Sequence, residues 1–248
     1  MTEIESPALS IIVPTFNSGA FIAASLRELL AYLVARPARS ELIVVDDGSQ
    51  DATCEIVERE LVRPGLGQLL RIPENRGKGY AVRRGVLAAA GERIVFIDAD
   101  LAYAPSQIDR LVAALAAGAD VAIADRTSPD SRFTLSPGFF GYLFTRHLSS
   151  RLFNRVNRAV LRIPYRDTQA GLKAFRGEVA RSLFARVKLD GFAFDVEVLT
   201  LAHRQGLCVA EVPVAFHYFS EPSSVDLARA GWQSLRDLIA VRRRVGRS

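Results

Sequence analysis

Short apolar runs that end in polar or acidic residues, each followed by a helical repeat, constrain this chain more than any other feature. The run ALSIIVPT ends in Pro14-Thr15-Phe16-Asn17, and after it Ile22, Leu26, Leu29 and Leu33 recur at the spacing of one helix face. ELIVVDD is apolar without alternation, as expected of a strand buried on both faces. Asp51 is placed to cap the helix that follows, which runs through Glu55 to about Val62. QLLRI reads as a strand, then a helix from about Gly79 to Gly91, then ERIVFID as the central strand. Ser106 and Asp109 form a pair resembling a capping box, opening a helix with the face Ile108, Leu111, Val112 and Leu115. DVAIAD follows as another strand. This alternation predicts an α/β fold, a Rossmann-like, mostly parallel, doubly wound sheet with helices on both faces.

The second half differs. Residues 138 to 162 read as one or two helices, GLKAF as a short strand, and about 177–186 and 193–205 as helices. The strand CVAEVPVAF and a last helix from about Ser224 to Val245 complete the chain. With 248 residues, 49% of them hydrophobic, the chain can bury a full core as a single domain, 1–248. The turn-rich stretch DRTSPDSRFTLSPG separates a half of about 1–125 from one of about 126–248.

Composition narrows the setting. MTEIESPALS has neither the basic n-region nor the apolar h-region of a signal peptide, and no apolar run reaches the ~18 residues of a membrane span. LVAALAAGADVAIA is short and broken by Asp120. Cys54 and Cys208 are too few for a disulfide framework, which predicts a reducing, cytoplasmic setting. The net charge is +5, but between Ser131 and Arg166 there is no acid at all. Arg132, Arg146, Arg151, Arg155, Arg158, Arg162 and Arg166 all fall there. Such a segment predicts an anionic partner.

In open α/β sheets ligands sit outside the carboxyl ends of the strands. Three strand ends carry suitable groups: Pro14 to Asn17, Asp46-Asp47-Gly48-Ser49, and Asp98-Ala99-Asp100. A single aspartate there is usually a turn former, but three ends on one edge predict a crevice. Residues i and i+2 of extended backbone point the same way, so Asp98 and Asp100 can face one ligand. Hard cations such as Mg²⁺ or Mn²⁺ take one or two carboxylates and complete their shell with substrate phosphates. Asp47 can accept from a nucleobase N–H, and Phe16 can pack on the base. The set describes a nucleoside-diphosphate site with a metal. NRGKGYAVRRG lacks dinucleotide-fingerprint spacing. It is either a glycine-rich helix start or a loop whose N–H groups line the donor site, with Lys78 nearby. Asp195 and Glu197, two apart in a helix, fall on different faces. Either Asp195 points into the site or it only complements a helix start.

SIIVPTFN, ELIVVDDGSQDAT, NRGKGYAVRRG and VFIDADL resemble, in order, the motifs of glycosyltransferase family 2 with its GT-A fold. DTQAGLKAFRGEVA, GFAFDVEVL and EVPVAF narrow the resemblance to the dolichyl-phosphate glucosyltransferase and dolichyl-phosphate mannose synthase branch, over about residues 8 to 225. The resemblance implies that Pro14, Phe16, Val45 and Asp47 hold base and ribose, and that Asp98 and Ala99 touch ribose and diphosphate. It implies that Asp100 binds the metal, that Arg126 and Arg146 hold the acceptor phosphate, and that Asp195 points into the site. Two positions depart from the mannose synthases. Ala102 stands where they usually have a glutamine ligand, and FHYFSEPSSVDL replaces a stretch with a late arginine, leaving His217 as a substitute phosphate contact or a packed residue.

The expected activity is metal-dependent, inverting transfer of a hexose from a UDP- or GDP-sugar to a polyprenyl phosphate. The acceptor is already an anion, so arginines rather than a general base are needed. Arg151, Arg155, Arg158 and Arg162 lie at i, i+4, i+7 and i+11, beside an apolar face of Leu148, Leu152, Val156, Ala159 and Ile163. Together with RRRVGR near the C-terminus, they predict peripheral attachment to an anionic membrane surface on the cytoplasmic face. The alternatives are a soluble family 2 enzyme acting on a hydroxyl, with Asp195 as base, and a non-catalytic nucleotide-sugar binder. Nucleic-acid binding ranks low, because no nucleic-acid motif is present.

Overall fold

The computed structural model describes residues 6–61, 67–135, 154–155, 157–218 and 227–245. Its centre is a seven-stranded sheet built from β1 (Leu9–Thr15), β2 (Ser40–Asp46), β3 (Gly67–Arg71), β4 (Arg93–Ile97), β5 (Val121–Asp125), β7 (Leu172–Arg176) and β8 (Val209–Pro213). The spatial order is β3-β2-β1-β4-β7-β5-β8. All neighbours are parallel except β7, which runs antiparallel between β4 and β5. A parallel two-stranded ribbon, β6 (Arg132–Leu135) with β9 (Ala215–Tyr218), stands apart from it.

The strands are apolar on both sides because both faces are covered. Ile11 and Val13 of β1, Leu42 and Val44 of β2, and Val95 and Ile97 of β4 pack on one face. They meet α1 (Ile22–Val34), α2 (Thr53–Leu61) and α4 (Gln107–Ala116). Ile12, Ile43, Val45, Ile94 and Phe96 fill the other face. There they meet α3 (Lys78–Ala88), α5 (Gly177–Arg186), α6 (Phe194–Arg204) and α7 (Leu227–Val245). The strict odd–even division follows from the two-residue period of a strand. It makes three layers, αβα, as the alternation in the sequence predicts.

Local expectations fare unevenly. Asp51 does cap α2: its Oδ1 accepts from the Thr53 N–H at 3.0 Å. Ser106 makes no side-chain cap to α4. Asp109 instead bonds Tyr32 at 2.9 Å and Arg36, tying α4 to α1. The segment 138–153 lies outside the described residues, so Leu148, Arg146, Arg151 and Leu152 have no structural account; Val156 likewise. Residues 154–155 and 157–161 are helical, and the turn stops at Arg162, whose φ of 55° is left-handed. The expected apolar face is revised there. Asn154 and Asn157 are buried and bond Thr168, Leu161 and Ile163 enter the protein core, and Ala159 is exposed. Arg155 and Arg162 remain exposed.

Candidate active site

The site forms where β1, β2 and β4 end. Here the sequence leaves the ladder with residues whose side chains bond across the edge. The Asn17 N–H donates to Ser49 Oγ at 2.8 Å, and the Gln50 N–H donates to Asn17 Oδ1 at 2.9 Å. Asp46 accepts from the Ser49 N–H at 3.0 Å. These bonds lace the ends of β1 and β2 into one rim. Phe16 stands on it, 44% exposed, available to a planar group. Pro14 is buried beside it.

Asp47 is nearly fully buried. Its two oxygens accept from the backbone N–H groups of Arg76 at 2.9 Å and Gly77 at 2.7 Å. Burial pushes its carboxyl pKa up, against the lowering effect of those two bonds. The 76–77 N–H groups therefore serve Asp47, a revision of the reading in which they line the donor site. Asp47 fastens the glycine-rich loop to β2. Gly77, at φ 105°, suits that approach, since a Cβ there would meet Asp190 O at 2.5 Å. The side chain of Val45 also departs from expectation. It is fully buried in the core beneath α3 and takes no part in lining the crevice.

At the end of β4 the chain turns tightly. The Leu101 N–H donates to Asp98 O at 3.1 Å, and Leu101 sits at φ 47°, a left-handed conformation unusual for a residue with a Cβ. The turn brings Asp98 and Asp100 outward while Ala99 and Leu101 are buried. Asp100 is exposed, and its Oδ1 accepts from the Ala102 N–H at 3.0 Å. Asp98 is partly exposed. Its Oδ1 lies 2.6 Å from Lys78 Nζ, and its backbone N–H donates to Gly171 O at 3.0 Å. Burial pulls the Lys78 ammonium pKa down, but Asp98, Asp195 and Asp100 outweigh it and hold the value above that of an ordinary lysine. Lys78 is thus a cation fixed beside Asp98.

No cluster of three His, Cys, Asp or Glu side chains that would enclose a metal occurs among the described residues. Two hard carboxylates on one turn, one of them at the mouth, fit a divalent ion that takes its remaining ligands from phosphate oxygens and water. His217, on β9, sits near this turn: its N–H donates to Ala102 O at 2.7 Å, and its Nδ1 meets Thr134 Oγ1.

Behind the aspartates lies a buried row of charges that the sequence did not announce. Lys173, on the antiparallel strand β7, is fully buried. Its Nζ donates to Ala170 O at 2.6 Å and lies 2.6 Å from Asp195 Oδ1. The Phe96 ring is 5.2 Å from the ammonium. Burial lowers the Lys173 pKa and raises that of Asp195, each opposed by the other's charge. Asp195 is thus held by a buried cation on β7. Glu197 points elsewhere, as its spacing predicts. It accepts from the N–H groups of Lys188 and Leu189 and pairs with Arg244 at 2.7 Å, so part of the basic C-terminal stretch anchors α7.

Arg126 stands just past β5. Its Nε and Nη2 grip Asp167 at 2.7 and 2.9 Å, with the Arg126 N–H adding a third bond at 3.1 Å. The Asp167 carboxyl is buried, which would raise its pKa, but Arg126 holds it below the ordinary value. Arg166 pairs in turn with Asp125 at 2.9 Å, a crossed arrangement that clamps the end of β5 to the 164–168 segment. Asp167 and Lys173 were missed from sequence. A lone lysine inside the apolar run GLKAF was the available signal.

The sequence model of glycosyl transferase family 2 matches residues 10–184, which carry the ends of β1, β2, β4 and β5. The chain belongs to glycosyl transferase family 2. It is a hexosyltransferase of this family by the relatives it resembles. A dolichyl-phosphate beta-glucosyltransferase from Drosophila melanogaster is 35% identical over 85% of this chain and 68% of its own length. One from Saccharomyces cerevisiae is 28% identical over 94% of this chain and 74% of its own. Among solved structures, mannosyl-3-phosphoglycerate synthase from Rubrobacter xylanophilus superposes with a TM-score of 0.72 at 20% identity, covering 98% of this chain and 76% of that one. Glucosyl-3-phosphoglycerate synthase from Mycobacterium tuberculosis, solved with Mn²⁺, UDP-glucose and phosphoglyceric acid, gives 0.67 at 21% identity, covering 97% and 80%. These structures establish the GT-A fold.

Proposed function

We propose that this glycosyltransferase moves a hexose from a nucleoside-diphosphate sugar to a polyprenyl phosphate, with inversion at the anomeric carbon. The observation that carries the choice of acceptor is the pairing of Asp195 with Lys173. A hydroxyl acceptor needs a general base in contact with it. Asp195, the carboxylate that reading relies on, is buried and 2.6 Å from a lysine ammonium. A phosphate acceptor arrives as an anion and needs only to be oriented. The dolichyl-phosphate glucosyltransferases related to this chain act, by name, on such an acceptor.

Phe16 and Asp47, with Pro14 beneath, form the wall assigned to the base. Asp98 and Ala99 are assigned to the ribose and diphosphate. Asp100 and Asp98 would hold a divalent cation, Mg²⁺ or Mn²⁺, as the related UDP-bound structures contain. When bound, that ion neutralises charge on the departing diphosphate. Lys78 adds a fixed positive charge to the same place and, already paired with Asp98, needs no reorganisation as charge develops. Arg126 is held flat by Asp167 at the end of β5, where its guanidinium orients the acceptor phosphate, with Arg146 as its assigned companion. No helix among the described residues is long and apolar enough to cross a membrane. The acid-free segment would bring the protein to the lipid surface, on the cytoplasmic side.

A panel of UDP- and GDP-hexoses with Mg²⁺ or Mn²⁺, offered a short-chain polyprenyl phosphate or a sugar hydroxyl, tests the proposal. Product on the lipid phosphate alone, with inverted anomeric configuration, is expected. Efficient transfer to the hydroxyl and none to the phosphate would overturn it.

A further inference from the structure

We propose that Lys173 is a positioning residue for sugar transfer, holding the donor-side carboxylate Asp98 and the acceptor-side pair Asp167–Arg126 in a single register. The inference rests on the proposed reaction only in what it calls donor and acceptor sides.

The topology places Lys173 at the junction. Strand β7 lies between β4 and β5, and Lys173 pairs with Phe96 on one side and Ile123 on the other. Asp98 follows the end of β4, and Arg126 follows the end of β5. One residue thus sits behind both strand ends. Its period-two neighbour on the same face is Phe175, a core residue, so an apolar side chain is what packing alone would choose.

The contacts run outward from its ammonium. Lys173 Nζ binds Ala170 O, which fixes the turn entering β7. The next residue, Gly171, accepts the Asp98 N–H through its carbonyl and lies against the Asp98 carboxylate. Asp195 Oδ1 meets Lys173 Nζ on another side. The signs alternate across the floor of the site: Asp98, Lys78, Asp195, Lys173, Asp167, Arg126. Ion pairs at 2.6 to 2.7 Å join Asp98 to Lys78, Asp195 to Lys173 and Asp167 to Arg126, and the pairing of β7 with β4 and β5 sets the three pairs side by side.

Stability alone gives no reason to keep this arrangement. Burying an ammonium and a carboxylate is costly, and replacing a buried ion pair by apolar groups of similar volume is often neutral or stabilising. Removing one member alone is the damaging change. A lysine with three partners (a carbonyl, a carboxylate and an aromatic face) has one permitted location, and it transmits that location to the 170–171 turn. Apolar side chains would fill the space without fixing the turn.

The test compares Lys173→Met/Asp195→Leu, which removes both charges, with Lys173→Gln, which keeps a donor. Both are made in the full chain. Urea unfolding, calorimetric binding of UDP and GDP with Mn²⁺, and steady-state transfer are measured. The expected double variant unfolds at the wild-type urea concentration and still binds the nucleotide, with affinity reduced by less than about 10-fold, yet loses about 100-fold in kcat, the scale of an ångström-sized misplacement. Lys173→Gln keeps a donor for Ala170 O and is expected to lose less in kcat, although it unfolds at lower urea than the wild type because Asp195 is left buried without a cation. Wild-type kcat in a folded double variant would overturn the proposal. If the double variant does not fold, wild-type kcat in Lys173→Gln overturns it equally. The comparison holds in whichever transfer or donor hydrolysis the wild type performs, so a failure of the lipid acceptor remains distinct from a failure of Lys173.

Discussion

Gly171 lies so close to Asp98 that a Cβ built on it would be 1.9 Å from Asp98 Oδ2. No side chain fits there without moving the carboxylate. Gly171→Ala is therefore expected to displace Asp98 while leaving the strand intact, with kcat falling about 100-fold. Lys78→Met in the same assay separates the effects: it removes the charge beside Asp98 without displacing the turn. Wild-type turnover in Gly171→Ala would show that the position of Asp98 is not critical.

Asp100 is the exposed member of the pair on the β4 turn. Asp100→Ala should abolish metal-dependent turnover, whereas Asp98→Ala should weaken donor binding and turnover together. Titration of Mn²⁺ in a donor-hydrolysis assay reads both. Full activity of Asp100→Ala at saturating Mg²⁺ would remove Asp100 from the metal assignment.

Asp47 is bonded to the glycine-rich loop, so its loss should loosen the donor wall more than the chemistry. Asp47→Ala is expected to raise the donor KM more than it lowers kcat. Leaving the Arg76 and Gly77 N–H groups without their acceptor should also lower stability by about 1 to 2 kcal/mol. A pure kcat defect at unchanged donor affinity would place Asp47 in the reaction itself.

The Asp167–Arg126 pair gives a pH signature. The folded pKa of Asp167 is lowered, so its contribution is fully present above the unfolded aspartate value and is lost as pH falls through the folded one. Asp167→Asn should be about 2 kcal/mol less stable than wild type at pH 7, with the gap closing below about pH 4. Urea unfolding of both proteins at pH 7 and pH 3 checks this. A gap of equal size at both values would show that the charge of Asp167 contributes nothing.

Membrane attachment is testable apart from catalysis. Each arginine near an anionic surface contributes about 1 kcal/mol. Binding to anionic vesicles should appear at low salt, vanish as salt screens the charges, and weaken in an Arg151/Arg155/Arg158/Arg162→Gln variant. Flotation reads it. Equal recovery of that variant and the wild type with anionic vesicles would move the contact away from this stripe.

Much of this protein was legible in order along the chain. Strand apolarity, helix period and the acidic strand ends are local properties, so the αβα layering and the positions of Asp47, Asp98 and Asp100 followed from them. The charge pattern of Asp195 and Glu197 was also local, since helix geometry alone sends neighbours two apart to different faces. The partners of those residues were not local. Asp47 meets Arg76 and Gly77, 29 and 30 residues on, and Lys173 meets Asp195, 22 residues on.

The sequence by itself determined which residues carry charge and which edge of the sheet receives them. Only the tertiary structure decided how those charges are shared. A short strand such as GLKAF encodes neither its direction nor its neighbours. Inserted antiparallel between β4 and β5, it turns a stray lysine into the centre of a buried ionic row. The reason is physical: in a dry interior an ion must have partners, and partners are supplied by whatever the fold brings within hydrogen-bond distance.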